Sequence, residues 1–543
     1  MKVALAQLNY HIGNFESNIA KVIAAINEAK AQSAELIVFS ELSICGYPPR
    51  DFLEFSDFIA ACDAGIMQIA QECTGIAAII GAPSKNDSGR GKPLYNSAYF
   101  LADGKIASVH HKCLLPTYDI FDEYRYFEPG PEGAVVAYKN KRIAITVCED
   151  LWNVDESPIY SRSPMDSLAG QSPDFVVNIS ASPFSNEQRE HRMVTFRKNA
   201  LRHGLPIIFV NHVGAQTELI FDGGSFAMDA GGNLTDELKY FKEELRCVTL
   251  DDSSAAPQLQ EHTGKIERIH DALVLGVRDY FRKSGLDTAI LGVSGGIDSA
   301  VTLALAARAL GKERVRAVLL PSQFSSSHSV DDAKSLAENI GCTHDTINIE
   351  GVASSVEAAL NPYFEGREAD VTEENIQARA RGVLLMGLAN KFGYVLLNTS
   401  NKSEAAVGYG TLYGDMAGGL SVLGDVYKTD VYELAHFINR AGEIIPMNSI
   451  TKPPSAELRP GQKDTDSLPE YDILDKILVQ YIEQRLGPNE IVAAGYDATL
   501  VARILKLVNT NEYKRYQTPP TLRVSSKAFG MGRRMPIVGK YLS

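Results

Sequence analysis

Short apolar runs that read as strands alternate with helical patterns along all 543 residues of the chain. In the first half, strands are predicted at 2–8, 36–40, 77–81, 97–101, 142–147, 175–179 and 207–211, and 18–31 reads as an amphipathic helix. Residues 222–229, Asp-Gly-Gly-Ser-Phe-Ala-Met-Asp, read as the turn and strand of a late hairpin. A polar stretch of low hydrophobicity at 251–262 reads as a linker, so the chain is expected to divide into a domain over 1–250, a linker over 251–265 and a second domain over 266–543. The second half opens with a helix whose Ile266, Ile269, Leu273, Val277 and Tyr280 share one face. Strands follow at 288–291, 315–320, 346–349 and 394–398, with helices at 299–310, 329–339 and 372–391. Ser329 and Asp332 have the spacing of a capping box at the start of one of them. The succession predicts an α/β chain with a mainly parallel, doubly wound sheet in its second half, whose ligand sits at the carboxyl ends of the strands.

Composition narrows the class. Apolar residues make up 45% and charged residues 22%, as in ordinary globular chains with sizeable cores. A formal net charge of −14 argues against nucleic acid as a general partner, while leaving room for a local phosphate pocket. No stretch approaches the ~18 uninterrupted apolar residues of a membrane span, and Gln7 and Asn9 interrupt the N-terminal run too early for a signal peptide. The seven cysteines are scattered and form no CxxC pair, which favours reduced thiols and a cytoplasmic setting.

Between a strand and a helix lies Gly292-Val293-Ser294-Gly295-Gly296-Ile297-Asp298-Ser299. Two adjacent glycines and two serines there offer free backbone N–H groups with the positive end of a helix behind them, which makes a phosphate cradle. The spacing and the lysine of a Walker A loop are missing, as is the third glycine of a dinucleotide fingerprint. Ser-Gly-Gly-Ile-Asp-Ser instead resembles the loop of the N-type ATP pyrophosphatases, which release pyrophosphate whole and leave AMP on a substrate.

In the first half three chemically able residues end predicted strands: Glu41 in Phe-Ser-Glu-Leu, Lys112 in His-Lys-Cys-Leu-Leu-Pro and Cys148 in Val-Cys-Glu-Asp. If those ends converge, Glu41 takes the thiol proton, Cys148 attacks an amide carbonyl, and Lys112 stabilises the oxyanion. The set resembles the nitrilase superfamily. That resemblance implies an α-β-β-α sandwich, a supporting acid at Glu123, a glutamine-contacting Tyr118 and a substrate-binding Ser182. A basic residue usually follows that serine by six positions. Here the position is Gln188, with Arg189 next, and Arg189 is the expected carboxylate-binding group.

A nitrilase-like amidase fused to an ATP pyrophosphatase reads as an enzyme that frees ammonia from glutamine and spends it on an adenylated carboxylate. Over essentially its full length the chain resembles the glutamine-dependent NAD synthetases, through Glu374-Asn375-Ile376-Gln377-Ala378-Arg379, Asn398-Thr399-Ser400-Asn401-Lys402-Ser403-Glu404, Tyr413-Gly414-Asp415, Lys452-Pro453-Pro454-Ser455-Ala456-Glu457-Leu458 and Glu512-Tyr513-Lys514-Arg515. The resemblance implies a Rossmann-like second domain of the adenine nucleotide alpha hydrolase type. It implies deamido-NAD contacts from Asn375, Glu404 and Lys514, and ATP contacts from Thr399, Lys428 and Ser455 beside the loop 292–299. It also implies Mg²⁺ held by Asp298 and Glu404, and a homo-oligomer built from synthetase-domain dimers. The alternative reading keeps the pyrophosphatase but changes the carboxylate acceptor. GMP synthetase-like chains, however, pair this loop with a glutaminase built on Cys, His and Glu, and the order Glu41, Lys112, Cys148 speaks against them.

Overall fold

The computed structural model of the protein describes residues 1–155, 158–250, 257–260 and 263–542. It divides into two compact units, 1–262 and 263–543. Most of the expected linker, at 251–256 and 261–262, lies outside the described residues.

The first unit is a four-layer α-β-β-α sandwich. One six-stranded sheet runs in the order Glu244–Thr249, Lys2–Gln7, Leu36–Val38, Ala77–Lys85, Leu94–Ala102, Lys105–His111. The other runs Leu234–Glu237, Phe226–Met228, Ile207–Asn211, Phe175–Ser180, Lys141–Val147, Val136–Tyr138. Side chains alternate across each strand with period two, and both faces are apolar. Val3, Leu5, Leu36 and Val38 meet Ile143, Ile145, Phe175 and Val177 between the sheets. Ala4, Ala6 and Ile37 face outward onto the helices Phe15–Ala31 and Ser56–Glu72. Ala144, Val176 and Phe209 do the same for the other sheet, under the helices Pro164–Ala169 and Gln188–His203. The central strands are therefore buried on both faces, which is why they read as unbroken apolar runs. The expected late hairpin exists as Phe226–Met228 with Leu234–Glu237, but its turn falls after Met228 and not at Gly223-Gly224. Those glycines join the strand Leu219–Asp222 to Phe226–Met228.

The second unit is built on a five-stranded, all-parallel sheet in the order Thr343–Thr346, Val315–Leu319, Ala289–Gly292, Val395–Asn398, Leu420–Ser421. Strand order reverses between Ala289–Gly292 and Val395–Asn398, so the crevice at their carboxyl ends is the topological switch point. The helix Ile297–Leu310 starts there, directly after the glycine loop. Two sequence readings shift. The edge strand is 343–346 and not 346–349, because Ile347 and Ile349, whose apolarity suggested a strand, pack into the core just beyond the sheet. The helix expected from Ser329 starts at Ser327, and Ser326 caps it by accepting from the Ser329 N–H at 3.2 Å. A helical layer, 471–478, 488–493 and 498–510, packs Leu474, Ile477, Ile491, Val501 and Ile504 into a separate core.

Candidate active sites

In the first unit the three strand ends converge. Lys112 is fully buried, and its ammonium donates to Glu41 Oε1 at 2.7 Å and Glu123 Oε1 at 2.8 Å. Asn96, also fully buried, donates to Glu41 Oε1 at 2.7 Å and Glu123 Oε2 at 3.3 Å. Glu41 Oε2 accepts the Ala181 N–H at 2.9 Å, and Tyr47 donates to Glu123 at 2.9 Å. Every carboxylate oxygen of the pair thus has a donor, and Lys112 and Asn96 each bridge the two carboxylates. Gly81 makes the approach possible: a Cβ there would stand 2.3 Å from the Leu42 nitrogen.

Cys148 follows the strand Lys141–Val147 at φ +42°, a left-handed conformation that turns the chain sharply out of the sheet. Asp150 holds this elbow. Its carboxylate accepts N–H groups from Val147 at 3.0 Å and from Cys113 and Leu114 at 2.9 Å each, which ties the elbow to the segment that carries Lys112. Burial pushes the Asp150 carboxyl up to about 6. Burial, then the charge of Glu41, pushes the Cys148 thiol well above its ordinary value, against the pull of Lys112. The resting site therefore holds a thiol, and attack needs a base beside it. Burial and the neighbouring Glu41 raise Glu123 to about 7 despite Lys112. Burial alone would lower Lys112, but Glu123 and Glu41 outweigh it and hold the ammonium charged.

Two walls flank the elbow. Glu149 accepts from Tyr118 Oη at 2.9 and 3.1 Å and from Tyr160 Oη at 3.0 Å. On the other side Ser182 donates its N–H to Asn211 at 2.8 Å, and Gln188 Nε2 reaches Ser182 Oγ at 3.3 Å. Arg189, the expected carboxylate-binding group, is engaged elsewhere. It donates to Glu237 at 2.9 Å and to Tyr240 Oη at 2.9 Å. Gln188 and Arg189 are the first two residues of the helix Gln188–His203, so their side chains leave it about 100° apart. Adjacent in sequence, the two side chains therefore go to different partners. Sequence reasoning missed Asn96 and Tyr160. The polar pair Asn96-Ser97 in the largely apolar strand Leu94–Ala102 was the available signal for the first, and Tyr160 had none.

In the second unit a cavity of about 290 Å³ opens at the switch point. Gly292, Val293, Ser294, Gly296, Ile297, Asp298, Ser299, Thr399, Glu404, Lys428 and Ser455 all line it. Gly295, at φ +81°, backs the loop instead: a Cβ there would lie 2.2 Å from the Ser329 carbonyl oxygen. Leu319, Leu320, Leu385, Leu396 and Leu397 give the cavity an apolar wall. Lys428 donates to Asp298 Oδ2 at 2.5 Å and to Glu404 Oε1 at 3.4 Å, and Asn401 donates to Asp298 Oδ1 at 2.9 Å. Asn401 also caps the helix Lys402–Val407 in a box with Glu404, a pattern legible in Asn-x-x-Glu. Burial, then repulsion from Asp298, raises Glu404 to about 8. Asn375 and Lys514 act one step back from the cavity. Asn375 accepts from Thr411 Oγ1 at 2.7 Å, and Lys514 donates to the Gly408 and Gly410 carbonyls at 2.7 and 2.8 Å. Both brace the 408–411 turn, whose Tyr409 lines the cavity.

Two families match the chain: carbon-nitrogen hydrolase over residues 2–258 and NAD synthase over 269–518. A glutamine-dependent NAD(+) synthetase of Synechocystis sp. is 45% identical over 98% of each chain. One of Acinetobacter baylyi is 43% identical over 99% of this chain and 98% of its own. Among solved structures, a glutamine-dependent NAD+ synthetase from Acinetobacter baumannii in complex with ADP is 41% identical, covers 99% of both chains and superposes with a TM-score of 0.78.

Proposed function

The chain belongs to the glutamine-dependent NAD(+) synthetases, and from that membership we propose how its residues divide the work. The protein amidates deamido-NAD to NAD with ammonia taken from glutamine, at the expense of ATP. The observation that carries the division is that one unit holds a Lys112-bridged carboxylate pair beside Cys148, while the other holds the Ser294–Ser299 loop at a switch-point cavity.

In the first unit Glu41 takes the Cys148 proton as sulfur attacks the glutamine amide. Lys112 has three donors and commits two to Glu41 and Glu123, so the third is available to the oxyanion. Glu123 and Asn96 fix Lys112 and Glu41 against each other. Ammonia leaves, and water then releases glutamate from the thioester. Tyr118 and Glu149 hold the substrate's amino end, and Ser182 with Gln188 its carboxylate end. Gln188 replaces Arg189 in that role because it is the one that reaches Ser182.

In the second unit the apolar wall takes the adenine, and the loop, Ser299 and Lys428 take the phosphates, with Thr399 and Ser455 completing the ATP contacts. The deamido-NAD carboxylate attacks the α-phosphorus, pyrophosphate leaves, and ammonia displaces AMP from the resulting acyl-adenylate. Asn375 and Lys514 serve the dinucleotide by bracing the 408–411 turn, and Glu404 meets it directly. The donor set fits Mg²⁺. Asp298 and Glu404 are a mutually repelling, half-buried pair of hard carboxylates, and among the described residues no larger cluster could hold a metal unaided, so phosphate oxygens would complete the shell. When bound, the ion offsets charge on the triphosphate.

The exposed Val383 and Met386, one helical turn apart on Val371–Phe392, support a homo-oligomer through synthetase-unit pairing, which sedimentation tests. Seven unpaired cysteines support a reducing, cytoplasmic setting, which cell fractionation tests. Among the described residues no helix is long and apolar enough to cross a membrane.

The test of the residue roles mixes protein, ATP, Mg²⁺ and deamido-NAD with glutamine or with ammonium, and measures NAD, AMP and pyrophosphate. Cys148→Ala is expected to lose only the glutamine-driven reaction, and Asp298→Ala to lose both. Continued glutamine use by Cys148→Ala, or ammonium-driven synthesis by Asp298→Ala, overturns the corresponding role.

A further inference from the structure

Lys452 is a cation of the cavity to which no role has been assigned. It lines the same cavity as the Ser-Gly-Gly loop. Its ammonium donates to Ser329 Oγ at 2.9 Å and stands 3.6 Å from Asp332, with the side chain 23% exposed. Ser329 packs with its carbonyl against Gly295, so Lys452 sits on the flank of the phosphate loop. Arg381, another cation of the cavity wall, feels the charges of Asp415 and Glu457, and its Nε donates to the Leu320 carbonyl at 3.0 Å. Lys428 is already matched by two carboxylates, Asp298 and Glu404. A triphosphate entering this cavity brings several negative charges that Lys428 alone does not balance. Glu457 adds to the shortfall, because its carboxylate accepts from Ser326 Oγ at 3.0 Å and Ser329 Oγ at 2.6 Å on the same flank.

We propose that Lys452 is a second pyrophosphate-binding cation, which grips the β- and γ-phosphates together with Lys428 and stabilises the pyrophosphate as it leaves. The proposal rests on the assignment of this cavity to ATP. Its charge favours the transition state over the ground state, because negative charge accumulates on the leaving group as the bond to the α-phosphorus breaks. The bland alternative is that Lys452 only latches its loop to Asp332.

The experiment uses the full chain with ammonium as nitrogen donor and measures kcat, KM and inhibition by added pyrophosphate for Lys452→Gln, Lys452→Arg and Asp332→Asn. Lys452→Gln is expected to lower kcat by at least about tenfold and to weaken pyrophosphate inhibition by a similar factor. Arg is expected to restore most of both, and Asp332→Asn to leave both within about twofold. Unchanged pyrophosphate inhibition in Lys452→Gln overturns the proposal, as does Asp332→Asn reproducing the Lys452→Gln losses. A wild-type protein that releases no pyrophosphate overturns the ATP assignment itself, which is a different failure.

Discussion

Asn96→Leu tests whether the glutaminase site works as one hydrogen-bonded cluster. The substitution keeps the approximate volume of a fully buried side chain and removes only its polar end. Two bonds go, to Glu41 Oε1 at 2.7 Å and Glu123 Oε2 at 3.3 Å. Glu41 Oε1 then has Lys112 as its remaining donor, Glu123 Oε2 loses its Asn96 bond, and Lys112 alone bridges the two carboxylates. A hydrogen bond to a charged group is worth about 1.5–3 kcal/mol. The shorter bond carries most of that, and its loss in the transition state lowers glutamine-driven turnover about ten- to a hundredfold. The pH profile should move as well. Asn96 donates to the ionised form of Glu123, which already titrates at about 7, so removing the donor shifts the coupled cluster's acid limb to higher pH. The assay compares glutamine-driven with ammonium-driven NAD synthesis between pH 6 and 9 on the same preparation. The ammonium rate serves as the folding control. A glutamine-driven rate within about twofold of wild type, with an unmoved acid limb, would refute the idea that Asn96 sets the pair.

Glu123→Gln should flatten the dependence of stability on pH. With a carboxyl raised from 4.5 to about 7, the folded state binds this proton more tightly than the unfolded one. The group therefore favours folding fully below about pH 4.5, and the contribution is lost as pH rises through about 7. Melting temperatures at pH 5 and pH 8 should lie closer together in the variant than in wild type, and an unchanged gap counts against the raised carboxyl. The neighbours Gln188 and Arg189 should separate by phenotype. Gln188→Ala is expected to raise KM for glutamine severalfold with normal melting. Arg189→Ala leaves the buried Glu237 without its cation and should cost about 3 kcal/mol of stability, read by denaturant titration, with KM less affected. The reverse pattern would return the substrate carboxylate to Arg189.

Much of the architecture follows from local patterning, and the two loops that carry chemistry were legible as motifs. Burial on both faces forces unbroken apolar strands, and the Ser-Gly-Gly loop between a strand and a helix offers the free N–H groups a phosphate cradle needs. What local patterning could not decide was partnership. The edge strand 343–346 is polar and shows no period, while the apolar Ile347 and Ile349 beyond it mimic one, because a core accepts apolar side chains from loops as readily as from strands. Ser326 and Ser329 are equally good caps in sequence, and the packing of Ser329 against Gly295 leaves Ser326 to do it.

The sequence by itself determined most of the central strands and their helices, the loop Ser294–Ser299 and the strand-end positions of Glu41, Lys112 and Cys148, since each depends on neighbours within a few residues. Tertiary structure alone decided which charges meet. Lys112 finds Glu41 across 71 positions of chain, Asn96 finds Glu41 across 55, and Lys428 finds Asp298 across 130. Arg189 is drawn to Glu237 while its neighbour Gln188 reaches Ser182. Sheet order and register fix these pairings, and a buried charge is tolerated only where that long-range geometry brings its partner within hydrogen-bond reach.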